Sequence, residues 1–411
     1  MTFKELQLHK TLLRAIAEKG YDSPTPVQVK AIPVVLEGLD LICSAQTGTG
    51  KTAAFALPIL QRLLKNQEAS KRRKIIRALI ISPTRELAVQ IQDDFKVYGT
   101  YTNLRSTVVY GGTSMEPQID VLRKGVDVLI ATPGRLLDLY KREKLKLDHI
   151  ETLVLDEADL MLDMGFIADV NKIVKICPLQ KQILLFSATM PQKIVDLTNN
   201  VLVEPIKISI SKTSSASKNV NQLLYYVPKP KKLELCLHLL RNTIKGTVLI
   251  FRRTKFGVDK LEKSLKRNGY KVVSFHGDKT QSARNEALTK FKNKEVNILI
   301  ATDVASRGID IDSLDAVLNF DLPNIPETYV HRIGRTGRAQ KKGNAYSFCA
   351  RDEKSYVKSI QKILNKAIPI ETEHPYPLEA KPDDKPKKRS GSRHKKGRKS
   401  TASKKKKKRW Y

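Results

Sequence analysis

Two pieces of this chain recur in register. The segment RALIISPT (77 to 84) aligns with TVLIFRRT (247 to 254), and VDVLIAT (126 to 132) with VNILIAT (296 to 302), both displaced by 170 residues. Two matches at one displacement argue for a duplicated unit, and a unit of that length is a domain. Each matched piece is a continuous apolar run ended by Thr, the pattern of a strand buried on both faces of a parallel sheet. Helix-like stretches follow: RELAVQIQDDFKVYG in the first copy and FGVDKLEKSLKRNGY, closing on Gly269, in the second. Strands alternating with helices predict an α/β chain with two tandem doubly wound parallel sheets. The polar run SISKTSSASKN (209 to 219) reads as the linker between copies spanning 1–208 and 220–370.

Charge is the second constraint. The 411 residues carry 75 Lys and Arg against 42 Asp and Glu, a formal +33, which points to a polyanionic partner, nucleic acid first. Residues 381 to 411 alone hold sixteen basic residues against two Asp, a net of +14. Such a segment cannot bury enough apolar surface to offset its ordering entropy, so 371–411 is expected to be a disordered basic tail that tethers phosphate. Cys43, Cys177, Cys236 and Cys349 form no close pair, which suggests neither a zinc knuckle nor a disulfide framework. No apolar run approaches the about 18 residues a membrane span needs. A soluble, cytoplasmic protein with no membrane association is the expectation.

Chemistry enters with SAQTGTGKTAAFALPIL, which follows the apolar DLIC and leads into a helix. AQTGTGKT fits the phosphate-loop pattern if its first Gly relaxes to Ala45, with Gln46, Thr47, Gly48, Thr49, Gly50, Lys51 and Thr52 completing it. Glycines let backbone N–H groups turn onto phosphate oxygens, the helix N-terminus adds its positive end, Lys51 can reach the β and γ phosphates, and Thr52 can hold Mg²⁺. ETLVLDEADLMLD then delivers Asp156 and Glu157 to the end of a strand, Thr152 to Leu155. In open α/β sheets ligands sit at that edge. Asp156 can hold Mg²⁺ through water, and Glu157 can orient or deprotonate an attacking water. Acidic residues after a strand are often only helix caps, but the pairing with the loop at 45 to 52 favours chemistry. Adding 170 to Lys51 lands on Asn221, in a stretch with no glycine, so the second copy lacks a phosphate cradle. Arginines of its HRIGRTGR (331 to 338) can instead stabilise charge on a transferred phosphoryl group of the same ATP.

Taken together, DEAD (156 to 159), AQTGTGKT, PTREL (83 to 87), GG (111 to 112), TPGR (132 to 135), SAT (187 to 189), QSAR (281 to 284), ATDVASRGID (301 to 310) and HRIGRTGR resemble a DEAD-box ATP-dependent RNA helicase over roughly residues 1 to 370. GYDSPTPVQ is similar to the family's Q motif, and DMGF with the basic tail is most similar to the bacterial RhlE-like subgroup. The resemblance implies two RecA-like domains, ATP and Mg²⁺ as cofactors, and sequence-independent RNA as partner. It implies Gln28 as adenine reader with Phe3 beside it, Asp310 at the ribose, and Arg335 and Arg338 as arginine fingers. Asp159, Ser187, Thr189 and His331 would couple hydrolysis to RNA binding. RNA would lie along Thr84, Arg85, Gly112, Thr132, Gly134 and Arg135 in the first domain and Thr254, Arg284 and Thr302 in the second. A monomer is expected, with ribosome precursors or RNA-decay machinery as candidate partners.

Overall fold

A computed structural model describes residues 1–45, 48–65, 75–210, 219–306, 314–337 and 342–379. Gln46, Thr47, Asp310 and Arg338, most of the expected linker, and the chain from 380 onward lie outside the described residues.

Two parallel sheets organise the body, which packs as one unit from Met1 to Pro377. The first contains β1 (Leu41–Ser44), β2 (Ala78–Ile81), β3 (Ser106–Val109), β4 (Val128–Ala131), β5 (Thr152–Leu155), β6 (Gln182–Ser187) and β7 (Ile206–Ser209), in the order β3-β4-β2-β5-β6-β1-β7. The second contains β8 (Val220–Tyr226), β9 (Val248–Phe251), β10 (Val272–Phe275), β11 (Ile298–Ala301), β12 (Ala316–Asn319), β13 (Gly343–Cys349) and β14 (Ile370–Glu371), in the order β10-β11-β9-β12-β13-β8-β14. Strand for strand, the two orders are the same, so the repeat read from sequence is a repeat of topology. The matched segments are β2 with β9 and β4 with β11, equivalent positions in their sheets.

The strand periodicity of two divides each apolar run between two cores. In the first sheet Ala78, Ile80, Val128, Ile130 and Val154 face one helical layer, while Leu79, Ile81, Leu129, Ala131, Leu153 and Leu155 face the other. The second sheet repeats this, with Val248, Ile250, Ile298 and Ile300 on one side and Leu249, Phe251, Leu299 and Ala301 on the other. Burial on both faces explains why these strands read as unbroken apolar runs. It also leaves polar function to the loops beyond their carboxyl ends.

The displacement of 170 does not hold throughout. Asn221 lies inside β8, the counterpart of β1, so the loop equivalent to the phosphate loop is the stretch after β8, VPKPK at 227 to 231. That stretch also lacks glycine, so the second copy lacks the cradle on the corrected alignment too. The expected start of the tail at 371 is also corrected. Glu371 lies in β14, paired parallel with β8, His374 packs its ring 5.5 Å from that of Tyr225, and Tyr376 packs against the second domain's core. Aromatic contact and an available sheet edge offset the polarity that made this stretch read as tail.

All four cysteines are buried free thiols, and burial pushes each of them up, to about 11 for Cys43 and Cys177 and to about 12 for Cys236 and Cys349. Among the described residues no helix is long and apolar enough to cross a membrane.

Candidate nucleotide site and RNA groove

A pocket of about 830 Å³ opens at the carboxyl edge of the first sheet, lined by Phe3, Gln28, Gly48, Gly50, Lys51, Thr52, Asp156 and Glu157 among others. Its floor begins where β1 ends and the helix Lys51–Lys65 starts. Gly48 and Gly50 both have positive φ, and a Cβ on Gly50 would overlap the Gln28 amide. Only glycine fits there. Gln28 Oε1 accepts from the Thr25 N–H at 2.9 Å, and its Nε2 donates to the Gly50 carbonyl at 3.1 Å, so this side chain ties the upstream motif to the phosphate loop. Phe3 is buried in the first domain's core at the pocket wall. Tyr21, partly exposed in the same pocket, is a lining residue that the motifs did not single out, although it sits within the upstream one.

Three charged groups are buried together. Lys51 Nζ lies 2.6 Å from Glu157 Oε1 and donates to the Ala45 carbonyl at 3.2 Å. Burial alone would lower the lysine's pKa, but the Glu157 and Asp156 carboxylates outweigh it and hold the ammonium above its ordinary range. Burial pushes the Asp156 carboxyl up to about 7 despite the attraction of Lys51, with Glu157 adding to the rise. Asp156 Oδ1 is buried with no hydrogen-bond partner. Glu157 has φ +52, left-handed backbone that a non-glycine residue rarely adopts, at the junction of β5 and the helix Ala158–Asp163.

A second polar cluster joins this acidic turn to the end of β6. Asp159 Oδ2 accepts from both the N–H and Oγ1 of Thr189 at 2.9 Å, and the Asp159 N–H donates to Ser187 Oγ at 3.2 Å. The structure thus brings together three of the four expected coupling residues. The fourth, His331, lies half-buried at the end of the helix Pro326–Ile333. Arg335 follows that helix, buried, and is not among the residues lining the nucleotide pocket. Arg332, the first arginine of HRIGRTGR, has a structural role: it is wholly buried and donates to Asp303, to Asn319 Oδ1 at 3.0 Å and to the Asp321 carbonyl at 2.7 Å.

A groove of about 1010 Å³ crosses both domains. Thr84, Arg85, Thr132, Gly134, Arg135, Thr254, Arg284 and Thr302, eight of the nine residues expected to meet RNA, line it. The ninth, Gly112, has φ +77 and supports Arg85, whose guanidinium a Cβ at 112 would overlap, while its neighbour Gly111 lines the groove. Thr84 and Thr254, equivalent in the repeat, are both helix N-caps, accepting from Leu87 N at 3.3 Å and Gly257 N at 3.0 Å. The groove therefore receives two helix N-termini, whose positive dipole ends suit phosphate. Arg135 Nη1 and Arg284 Nε are buried without partners. Burial pushes both guanidinium groups down.

Three contacts at the groove bridge the domains, and sequence did not reveal them. Glu86 Oε1 accepts from Gln281 Nε2 at 3.0 Å, and Glu86 Oε2 lies 2.8 Å from Arg284 Nη2, a close charge contact. Arg85 Nη1 donates to Gln281 Oε1 at 3.2 Å. PTREL and QSAR were each legible as motifs, but nothing in one chain order announces that they meet.

Comparison with known proteins places this geometry. Residues 25–197 match the DEAD/DEAH box helicase family and residues 231–340 the helicase conserved C-terminal domain. The chain is 42% identical over 369 residues to the DEAD-box ATP-dependent RNA helicase RhpA of Helicobacter pylori, covering 90% of this chain and 74% of the relative. It is a member of the DEAD-box ATP-dependent RNA helicases. Its activity is therefore RNA-dependent ATP hydrolysis that unwinds or remodels RNA, on two RecA-like domains. The helicase superposes on Saccharomyces cerevisiae Dbp5 bound to RNA and ADP BeF3 with a TM-score of 0.79 at 30% identity, over 90% of this chain and 95% of that one. A Dbp5 variant bound to Nup159, Gle1, IP6 and ADP gives 0.60 at 29% identity, over 88% and 94%. Sequence identity is nearly equal in the two comparisons, and the TM-score is higher against the form bound to RNA.

Proposed function

We propose that the helicase hydrolyses ATP at the Lys51–Asp156–Glu157 cluster when a single RNA strand occupies the groove between Arg135 and Arg284. The observation that carries this reading is the buried Asp156 Oδ1, which has no partner beside a buried ammonium and a second carboxylate. An unpartnered carboxylate oxygen raised to about 7 is a site prepared for a cation. Thr52 and Asp156 would hold Mg²⁺, which when bound neutralises charge on the β and γ phosphates. The triphosphate replaces Glu157 as the counter-charge of Lys51, leaving that carboxylate to accept a proton from the attacking water. Gln28 reads the adenine edge and Asp310 the ribose, while Arg335 and Arg338 approach the transferred phosphoryl group when the domains close on RNA.

The RNA reading rests on the groove. Two N-capped helix starts and two unpartnered guanidinium N–H groups recognise a sugar-phosphate backbone and leave base identity unread. We extend the proposal to a monomer acting in the cytoplasm on sequence-independent RNA, with ribosome precursors or RNA-decay machinery as the setting, and to the RhlE-like subgroup. The test separates the role of Glu157 from that of Lys51. Glu157→Gln should keep ATP-dependent RNA binding while turnover falls by a factor of about 10² or more. Lys51→Ala should lose nucleotide binding itself. Equal loss of nucleotide-dependent RNA retention in both variants would refute the assignment.

A further inference from the structure

The groove walls are not uniformly polar. Phe256, the second residue of the helix Lys255–Arg267, is 78% exposed, the most exposed aromatic side chain among the described residues, and it lines the groove beside Thr254 and Lys255. Phe251, Phe275, Phe291, Phe320 and Phe348 of the same domain are all buried in cores. The helix buries Val258, Leu261 and Leu265, and Phe256 lies outside that stripe. Nothing in the fold asks for an apolar ring there. The first domain contributes Met164 and Phe166 to the lining of the same groove.

We propose that Phe256 is a stacking platform for an unpaired base of the bound strand, a residue that makes this groove select single-stranded over paired RNA. The inference rests on the groove being the RNA site. Charge argues for a nucleic-acid occupant over an apolar peptide: the lining carries five Lys and Arg against two acidic residues, and two of those arginines have buried N–H groups without partners. With the backbone held by the N-terminus of this helix and by Arg284, a base of the strand comes within reach of a ring two residues beyond the Thr254 cap. A paired base inside a duplex has both faces covered by its stack, so only an unpaired or terminal base can offer a face to the ring. Stacking on a phenyl ring tolerates every base, in keeping with a site that reads no sequence.

The experiment uses the full chain with a non-hydrolysable ATP analogue and a short single-stranded RNA in which one 2-aminopurine is moved along the strand. We expect quenching of 2-aminopurine at one register. An abasic nucleotide at that register should weaken binding about tenfold, as loss of one base stack does. Phe256→Ala should abolish the quenching and make the intact and abasic strands bind alike, and Phe256→Trp should restore both effects. Phe256→Leu keeps an apolar side chain without a ring and should behave like Phe256→Ala. The proposal is overturned if no abasic position weakens binding, or if Phe256→Leu matches the wild type, which would assign the ring to a protein partner or to general apolar contact. Failure of the unsubstituted chain to bind RNA with the analogue present would overturn the groove reading, and this inference with it.

Discussion

Replacing Glu86 by Ala should open the helicase. Its carboxylate is buried, 7% exposed, and contacts both Gln281 and Arg284 from across the domain boundary. Removal deletes one hydrogen bond to a charged acceptor and leaves the Arg284 guanidinium, whose Nε already lacks a partner, without its counter-charge. A hydrogen bond to a charged group is worth about 1.5–3 kcal/mol. The domains can part and rehydrate Arg284, so the cost falls on the closed arrangement and not on either fold. We take about 2–3 kcal/mol, which is about 30- to 150-fold in the closed-to-open ratio. Distance between fluorophores placed on the two domains, measured with RNA and a non-hydrolysable ATP analogue, reads that ratio. The concentration of RNA giving half-maximal ATPase should rise by a similar factor. Glu86→Gln keeps an acceptor for Gln281 and should fall between. Thermal unfolding should move little, because what Glu86 gives its own helix is the favourable effect of an acidic residue in the first turn, about 0.5 kcal/mol. Unchanged fluorophore distance and unchanged RNA half-saturation in Glu86→Ala would show that the bridge does not hold the domains together.

Two further outcomes follow from charge. Asp156 must be ionised to hold a cation, and its carboxyl sits at about 7 without one, so nucleotide affinity in Mg²⁺ should fall as pH drops below about 7, while Asp156→Asn should bind weakly at every pH; titration with a fluorescent ATP analogue checks this, and a flat profile in the unsubstituted chain would contradict it. Deleting residues 381 to 411, sixteen basic residues against two Asp, should flatten log affinity against log salt by about 0.7 for each RNA phosphate the tail would have neutralised, with the maximal ATPase rate within about threefold; an unchanged salt slope would refute the tether.

Much of the fold was legible because buried parallel strands announce themselves. Thr152 to Leu155 read as a strand and is β5, and the displacement of 170 picked out β2 with β9 and β4 with β11. Local motifs with a mechanical requirement were equally clear: Gly50 sits where no side chain fits, and Thr84 and Thr254 cap the helices that follow them. What sequence hid depends on distance in space. The 2.6 Å pairing of Lys51 with Glu157 spans more than a hundred residues, and the bridge from Glu86 to Gln281 and Arg284 nearly two hundred. No periodicity encodes such pairings. Phe256 was invisible for the opposite reason, since an apolar residue in a helix reads as core until its exposure is seen. Arg332 shows a further limit: charge clustering placed it with Arg335 and Arg338, but burial against Asp303 gives it a different role.

ATP turnover of the full chain, measured with no nucleic acid, with single-stranded RNA, and with DNA of the same length, bears on the whole mechanism at once. The proposed mechanism, a catalytic cluster on the first domain with arginines supplied from the second, predicts slow hydrolysis alone, strong stimulation by RNA and little by DNA. Turnover that is the same in all three conditions, or raised equally by RNA and DNA, would contradict it.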